Sequence, residues 1–217
     1  MVECGPTFNC PPGDVQAIIA GGAQAFVHPV ETDEDNAEKG AADLEAQGFT
    51  TRDVLVGITS SGRTPYVLGA VTAARRLGAR TIGVCCNRCA PLTAMVDIAI
   101  LPVVGPEVLL GSTRLKAGTA TKLVLNMLST IVMVRRGFVF RNLMVNEQPT
   151  NSKLLSRARK IVTHATGVDE DTAGSLLESA NGSIKVAVLM ARLGIGAEEA
   201  RQRLEVTGGR LSAALGE

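Results

Sequence analysis

The chain has 217 residues, with 22 Lys and Arg against 21 Asp and Glu, a net charge of +1 and a hydrophobic share of 46%. That composition supports a sizeable core and excludes wholesale disorder. The balanced charge gives no electrostatic footprint for nucleic acid or an anionic membrane surface, and 3% aromatics without Trp leave no platform for stacked bases. The opening MVECGPTFNC lacks the basic start and apolar run of a secretory signal. The most apolar stretch, Leu123–Val134, is shorter than the roughly 20 residues of a membrane span. Five cysteines, an odd number, then read as reduced thiols in a cytoplasm.

In chain order, residues 1–13 read as loop, broken by Gly5, Pro6, Pro11, Pro12 and Gly13. VQAIIA (Val15–Ala20) reads as a short strand, Ala23–Val30 as a helix limited by Pro29, and Ala37–Gln47 as a second helix after the acidic run Glu31–Asp35. A repeating unit follows: strand Asp53–Ile58, polar turn Thr59–Thr64, then helix Pro65–Leu77 with proline at its first position and Gly78 at its end. Strand Arg80–Cys86, a short helix over Cys89–Val96 and strand Asp97–Val103 continue it. Continuous apolar strands separated by helices indicate an α/β fold with a parallel sheet. Gly105–Thr113 reads as a loop, Arg114–Arg136 as one long helix and 138–145 as a connector. From Thr150 onward the chain reads as five helices punctuated by glycines, with Asp169 and Ser183 as N-caps. Two domains are expected, 1–145 α/β and 146–217 all-helical.

Two loops carry the chemistry. TSSGRT (Thr59–Thr64) joins a strand to a helix start, where hydroxyls and backbone amides favour an anion; the plainer alternative is N-capping by Ser61 or Thr64. No nucleotide P-loop pattern is present. The stretch Gly105–Ala120 also joins a strand end to a helix start and brings Glu107, Ser112, Thr113, Arg114 and Lys116. Its alternative is a capped loop with solvated charges. Carboxylates at Glu3 and in the acidic run offer an acid and a base from separate loops, although a charge run is more often a solvated face. The Cys86–Cys89 spacing lacks further ligands for structural zinc, and two histidines make a Ser/His/Asp triad a poor expectation.

Together, ECGPTF (Glu3–Phe8), IAGG (Ile19–Gly22), the acidic run through Glu34 and GITSSGRTPYV (Gly57–Val67) form one part of a recognisable pattern. LGARTIGVCCN (Leu77–Asn87), PVVGPEVLLGSTRLKAGTATKLVLNMLST (Pro102–Thr130) and NLMVNEQPTN (Asn142–Asn151) complete it. The pattern resembles the bacterial N-acetylmuramic acid 6-phosphate etherases, which carry a sugar isomerase (SIS) domain. The segment Ala165–Met190 resembles that family's small helical tail, a ubiquitin-associated-like bundle.

The resemblance implies a SIS-type three-layer α-β-α sandwich with a parallel sheet in flavodoxin-like order, followed by an all-helical small domain. It also implies cleavage of the lactyl ether of an amino-sugar phosphate by elimination and hydration, with no cofactor or metal. Glu3 falls at the family's acid and Glu34 at its second essential glutamate. Ser60, Ser61, Gly62 and Thr64 fall on the phosphate-binding turn, Ser112 on the substrate loop, and Lys116 beside it. A cytoplasmic homodimer without nucleic-acid or membrane partners is implied as well. Relative to the family the chain is expected to be truncated ahead of Glu3, lacking a first strand and a Gly-Thr-Ser-Gly-Arg loop. Gly5 stands where the family often has Pro, and Ala23 where Glu is usual. A non-catalytic sugar-phosphate-binding regulator, as in the glucokinase regulatory proteins, or an inactive fragment is the alternative.

Overall fold

The computed structural model describes residues 2–28 and 30–217, so Met1 and Pro29, the expected limit of the first helix, lie outside the described residues. The elements run α1 (Cys4–Phe8), a 3-10 turn (Gly22–Phe26), α2 (Glu31–Glu34), α3 (Ala37–Ala46), β1 (Val54–Ile58), α4 (Pro65–Leu77) and β2 (Arg80–Val84). They continue with α5 (Pro91–Met95), β3 (Ile98–Ile100), α6 (Lys116–Arg135), β4 (Val139–Phe140) and β5 (Leu143–Met144). Helices α7 (Ser152–Thr166), α8 (Glu170–Ser179), α9 (Ile184–Leu193), α10 (Ala197–Val206) and α11 (Leu211–Leu215) close the chain. These residues form two compact units: Ala17–Met127, and Met1–Gln16 with Leu128–Glu217.

The Ala17–Met127 unit is mixed α/β. Its three strands pair in parallel in the order β1-β2-β3, with Gly57 opposite Gly83 and Gly83 opposite Ala99. Parallel strands need crossover connections, supplied here by α4 and α5. A Cβ on Gly57 would stand 3.0 Å from Val67 Cγ1 and Val71 Cγ2, and one on Gly83 would stand 2.9 Å from Leu92 Cγ. Those two glycines let the crossover helices lie close on the sheet. Val71, Cys85, Ala90 and Leu92 form one buried cluster there. Leu44, Ala70, Ala73 and Ala74 form a second, where α3 meets α4. Asn36 caps α3 by accepting from Lys39 N at 2.8 Å, and α4 ends on Gly78 at φ 82°.

The other unit holds most of its core in the helical tail. Val162, Ala173, Leu177, Ile184, Ala187, Val188, Leu189 and Leu211 belong to one buried cluster that Phe140 and Val145 join. Asn151, Asp169 and Ser183 cap α7, α8 and α9 with side-chain oxygens, two of them as read from the sequence. In the same unit α1 packs through Cys4 against Cys10 and Met133, with Phe8, Val15 and Phe138 around them.

Several readings differ from expectation: the Ala23–Val30 helix is a 3-10 turn over Gly22–Phe26, and the acidic run forms α2. Residues 4–8 are helical despite Pro6, because a proline in the first turn removes an amide that has no partner within the helix. Val15–Ala20 is not a strand: among the described residues β1 pairs with β2 alone, and an apolar run without a neighbouring ladder makes none. The 138–145 connector forms a small antiparallel hairpin, turned at Arg141 in the left-handed region with φ 57°. Helix α6 has 20 residues and a window of mean hydropathy 1.4, long and apolar enough to cross a membrane by length and composition, with 17% of that window buried. The small residues Ala117, Gly118 and Ala120 extend it beyond the Leu123–Val134 stretch.

Candidate active site

In an open parallel sheet, ligands gather at the carboxyl ends of the strands. Three segments of the α/β unit meet there. After β1 comes Thr59–Thr64, whose hydroxyls bond one another: Thr59 Oγ1 lies 2.8 Å from Thr64 Oγ1 and 3.3 Å from Ser61 Oγ. Neither Ser61 nor Thr64 caps α4 with its side chain; Ser61 Oγ accepts instead from Arg63 N at 3.2 Å. Gly62 is buried at φ 68°, and its carbonyl accepts from Leu92 N at 3.2 Å. After β2 comes Cys86, whose amide donates to Ser60 O at 3.0 Å. Burial pushes the Cys86 thiol up, while a hydrogen bond with Thr121 of α6 pulls it the other way. Thus the turn bearing Ser60, Ser61, Gly62 and Thr64 is tied through Cys86 to the helix that begins at Lys116.

The third segment, after β3, carries Ser112, which is half-buried, and Lys116, which is exposed. Lys116 Nζ donates to Pro106 O at 2.8 Å. Glu107 accepts from the amides of Ala117 and Lys116, each at 3.0 Å, and those bonds hold its carboxyl below the usual carboxylate range. The sequence offered Glu107 only as one charge among several. A cap reaching back across the loop leaves no local spacing signal of the kind an Asn or Ser cap does.

Glu34 is exposed at the end of α2, which packs against α4, the helix that Thr64 starts. Beside it Asp33 pairs with Lys39, raising the ammonium pKa. Tyr66, in the first turn of α4, donates to Asp43 Oδ2 at 2.6 Å, and burial together with that bond pushes its phenol well up. The acidic run is therefore anchored near the start of α4 and is not a freely solvated tail. Glu3 lies in the other unit, exposed at the N-cap of α1. Asn146, whose place in NLMVNEQPTN carries no local signal of a role, holds that helix by donating from Nδ2 to Phe8 O at 2.8 Å.

Comparison with known proteins adds the family. A protein named N-acetylmuramic acid 6-phosphate etherase in Rubrobacter xylanophilus is 53% identical over 216 residues, all of this chain and 71% of that protein. Those of the same name in Pectobacterium atrosepticum and Mycolicibacterium smegmatis are 51% and 49% identical, across 98% and 99% of this chain and 70% and 72% of theirs. The chain belongs to the N-acetylmuramic acid 6-phosphate etherase family. Residues 7–75 also match the glucokinase regulatory protein N-terminal SIS domain, in agreement with the SIS-type α/β fold. The quoted etherase motifs fall on both units. ECGPTF and NLMVNEQPTN lie with the helical tail, whereas the acidic run and TSSGRT lie with the sheet.

Proposed function

We propose that the chain acts as an N-acetylmuramic acid 6-phosphate etherase, a carbon–oxygen lyase that releases D-lactate and leaves N-acetylglucosamine 6-phosphate. The observation that carries this is the identity of about half the residues over essentially the whole chain with proteins of that name. The chemistry follows from the substrate. Ring opening exposes an aldehyde at C1, which acidifies the proton on C2. Glu34 removes that proton as base, the C3–O bond of the lactyl ether breaks, and Glu3 protonates the departing ether oxygen. Water then adds at C3 of the unsaturated aldehyde while a proton returns to C2, so the sum is hydrolysis without any oxidant or metal.

In this reading Ser60, Ser61, Gly62 and Thr64 hold the 6-phosphate, and Ser112 and Lys116 contact the sugar. The hydroxyl-lined turn and the uncapped start of α4 support the first group. The protein divides functionally into a SIS domain over 1–145 and a helical domain over 146–217. It works as a cytoplasmic homodimer, without nucleic-acid or membrane partners; Lys122 and Asn126 inside α6 speak against burial of that helix in lipid.

The test is release of D-lactate from N-acetylmuramic acid 6-phosphate by the purified chain. Glu34→Gln is expected to lower turnover by about 100-fold or more, the usual worth of a general base. Unchanged turnover in that variant removes Glu34 from the mechanism. The match to the glucokinase regulatory SIS domain favours a second reading, a sugar-phosphate sensor. Tight sugar-phosphate binding with no lactate release selects it.

A further inference from the structure

The loop between β3 and α6, which bears Ser112 and ends at Lys116, the first residue of α6, carries the proposed sugar contacts. It also presents Val108, Leu109 and Leu110 at 80%, 56% and 99% exposure. A segment that buries so little has no core of its own to fix it. Its order comes from its base, where Glu107 Oε2 accepts from Lys116 N and Oε1 from Ala117 N, both at 3.0 Å. Lys116 Nζ returns the contact to Pro106 O at 2.8 Å. Within the loop Ser112 N donates to Leu109 O at 3.0 Å, and Gly118 N reaches back to Thr113 O at 2.9 Å. The carboxylate thus joins the two ends of residues 108–115 and sets where Ser112 and Lys116 stand.

A second consequence concerns anions. The first amides of a helix attract phosphate, and in α6 two of them already face a carboxylate. That start is closed to a second negative group; α4 has no side-chain cap, but Pro65 brings no amide and Val67 N donates to Thr64 O at 3.1 Å, so there the Thr59–Thr64 hydroxyls are left to meet an anion. The loop chemistry therefore distinguishes two helix starts on one rim, one for the 6-phosphate and one sealed.

We infer that Glu107 is a positioning residue of this site: a two-point carboxylate clamp that holds the Ser112–Lys116 segment against the sugar and directs the phosphate to the Thr59–Thr64 turn. The inference rests on the etherase reading, and its test separates the two. Glu107→Gln keeps one acceptor oxygen but turns an NH2 group on the second amide. It is expected to raise KM for N-acetylmuramic acid 6-phosphate, and to weaken binding of N-acetylglucosamine 6-phosphate measured by calorimetry, by about tenfold with kcat within a factor of two. Glu107→Asp, which keeps both oxygens, is expected to recover part of that loss. Equal KM and equal product affinity in wild type and Glu107→Gln overturn the clamp while leaving the etherase reading intact. A loss confined to kcat also overturns it, because the segment then serves chemistry instead of sugar binding. A wild-type chain that binds the product but releases no lactate fails the etherase reading alone, and the calorimetric comparison still decides the clamp. If Glu107→Gln does not fold, the Glu107→Asp affinity decides it, unchanged affinity being the overturning result.

Discussion

Two residues show how local geometry sets both stability and binding. Gly62 is buried at φ 68°, and a Cβ there would stand 2.3 Å from Ala90 Cβ and 3.1 Å from Cys85 Sγ. Left-handed backbone costs a residue with a side chain about 1–2 kcal/mol, and forced overlap adds about 1–3 kcal/mol. Gly62→Ala is therefore expected to lower the melting temperature by several degrees and to weaken sugar-phosphate binding by at least about tenfold. Gly5 is the control: it lies in α1 with nothing within 4 Å of an added Cβ, and Gly5→Ala should leave stability unchanged or slightly raised. Lys185 makes a different point. It is buried in the helical tail, donates to Gly209 O at 2.8 Å and lies 5.4 Å from the Phe138 ring, and burial pushes its pKa down to about 8. The unfolded chain keeps that lysine protonated up to about pH 10.4. Between those values the unfolded state binds more protons, so stability attributable to this group rises with pH across that window. The urea midpoint should climb between pH 8 and pH 10, and Lys185→Met should flatten that climb while leaving other pH trends in place.

At the scale of elements, what the sequence made legible were those whose signals are local. Pro65 and Gly78 bracket α4 as read, and Asp169 and Ser183 cap the tail helices as read. What escaped were contacts between distant segments. Val15–Ala20 has the composition of a strand but joins no ladder among the described residues, and Glu107 caps a helix from across a loop. The crossing of α3 on α4 escaped too. Gly40 and Gly69 stand at it: an added Cβ would lie 2.0 Å from Tyr66 O and 1.9 Å from Ala37 O. Backbone meets backbone there, so neither clash is relieved by rotating a side chain. Gly69→Ala must push α3 away from α4, and overpacking of this kind costs about 1–3 kcal/mol or more. Because α2 also packs on α4, the same shift displaces the acidic run that ends in Glu34. The expected outcome is a lowered melting temperature together with lost turnover, while an alanine at Gly48, which meets open space although its φ is 70°, carries only the backbone term.

The whole molecule carries its buried apolar residues unevenly. One contiguous cluster from Phe140 to Ala214 supports the tail, whereas the α/β unit relies on smaller clusters around α3, α4 and α5. The α/β unit also leaves apolar side chains in water, with Val54 54%, Ile98 56%, Leu123 50% and Met127 56% exposed. Burial of apolar surface is the main favourable contribution to folding, so unequal cores mean unequal resistance to unfolding. The phosphate turn belongs to the α/β unit and depends on its strand ends. Urea is therefore expected to abolish sugar-phosphate binding at a lower concentration than the one that removes the helical circular dichroism signal. Amide exchange should place the slowest hydrogens in α7 to α9 and faster ones in β1 and β3. Bound N-acetylglucosamine 6-phosphate stabilises what it touches, and with its phosphate on the Thr59–Thr64 turn it should move the first transition upward further than the second. Coincident transitions by both probes, with ligand shifting them together, would make the chain a single cooperative unit and refute this division.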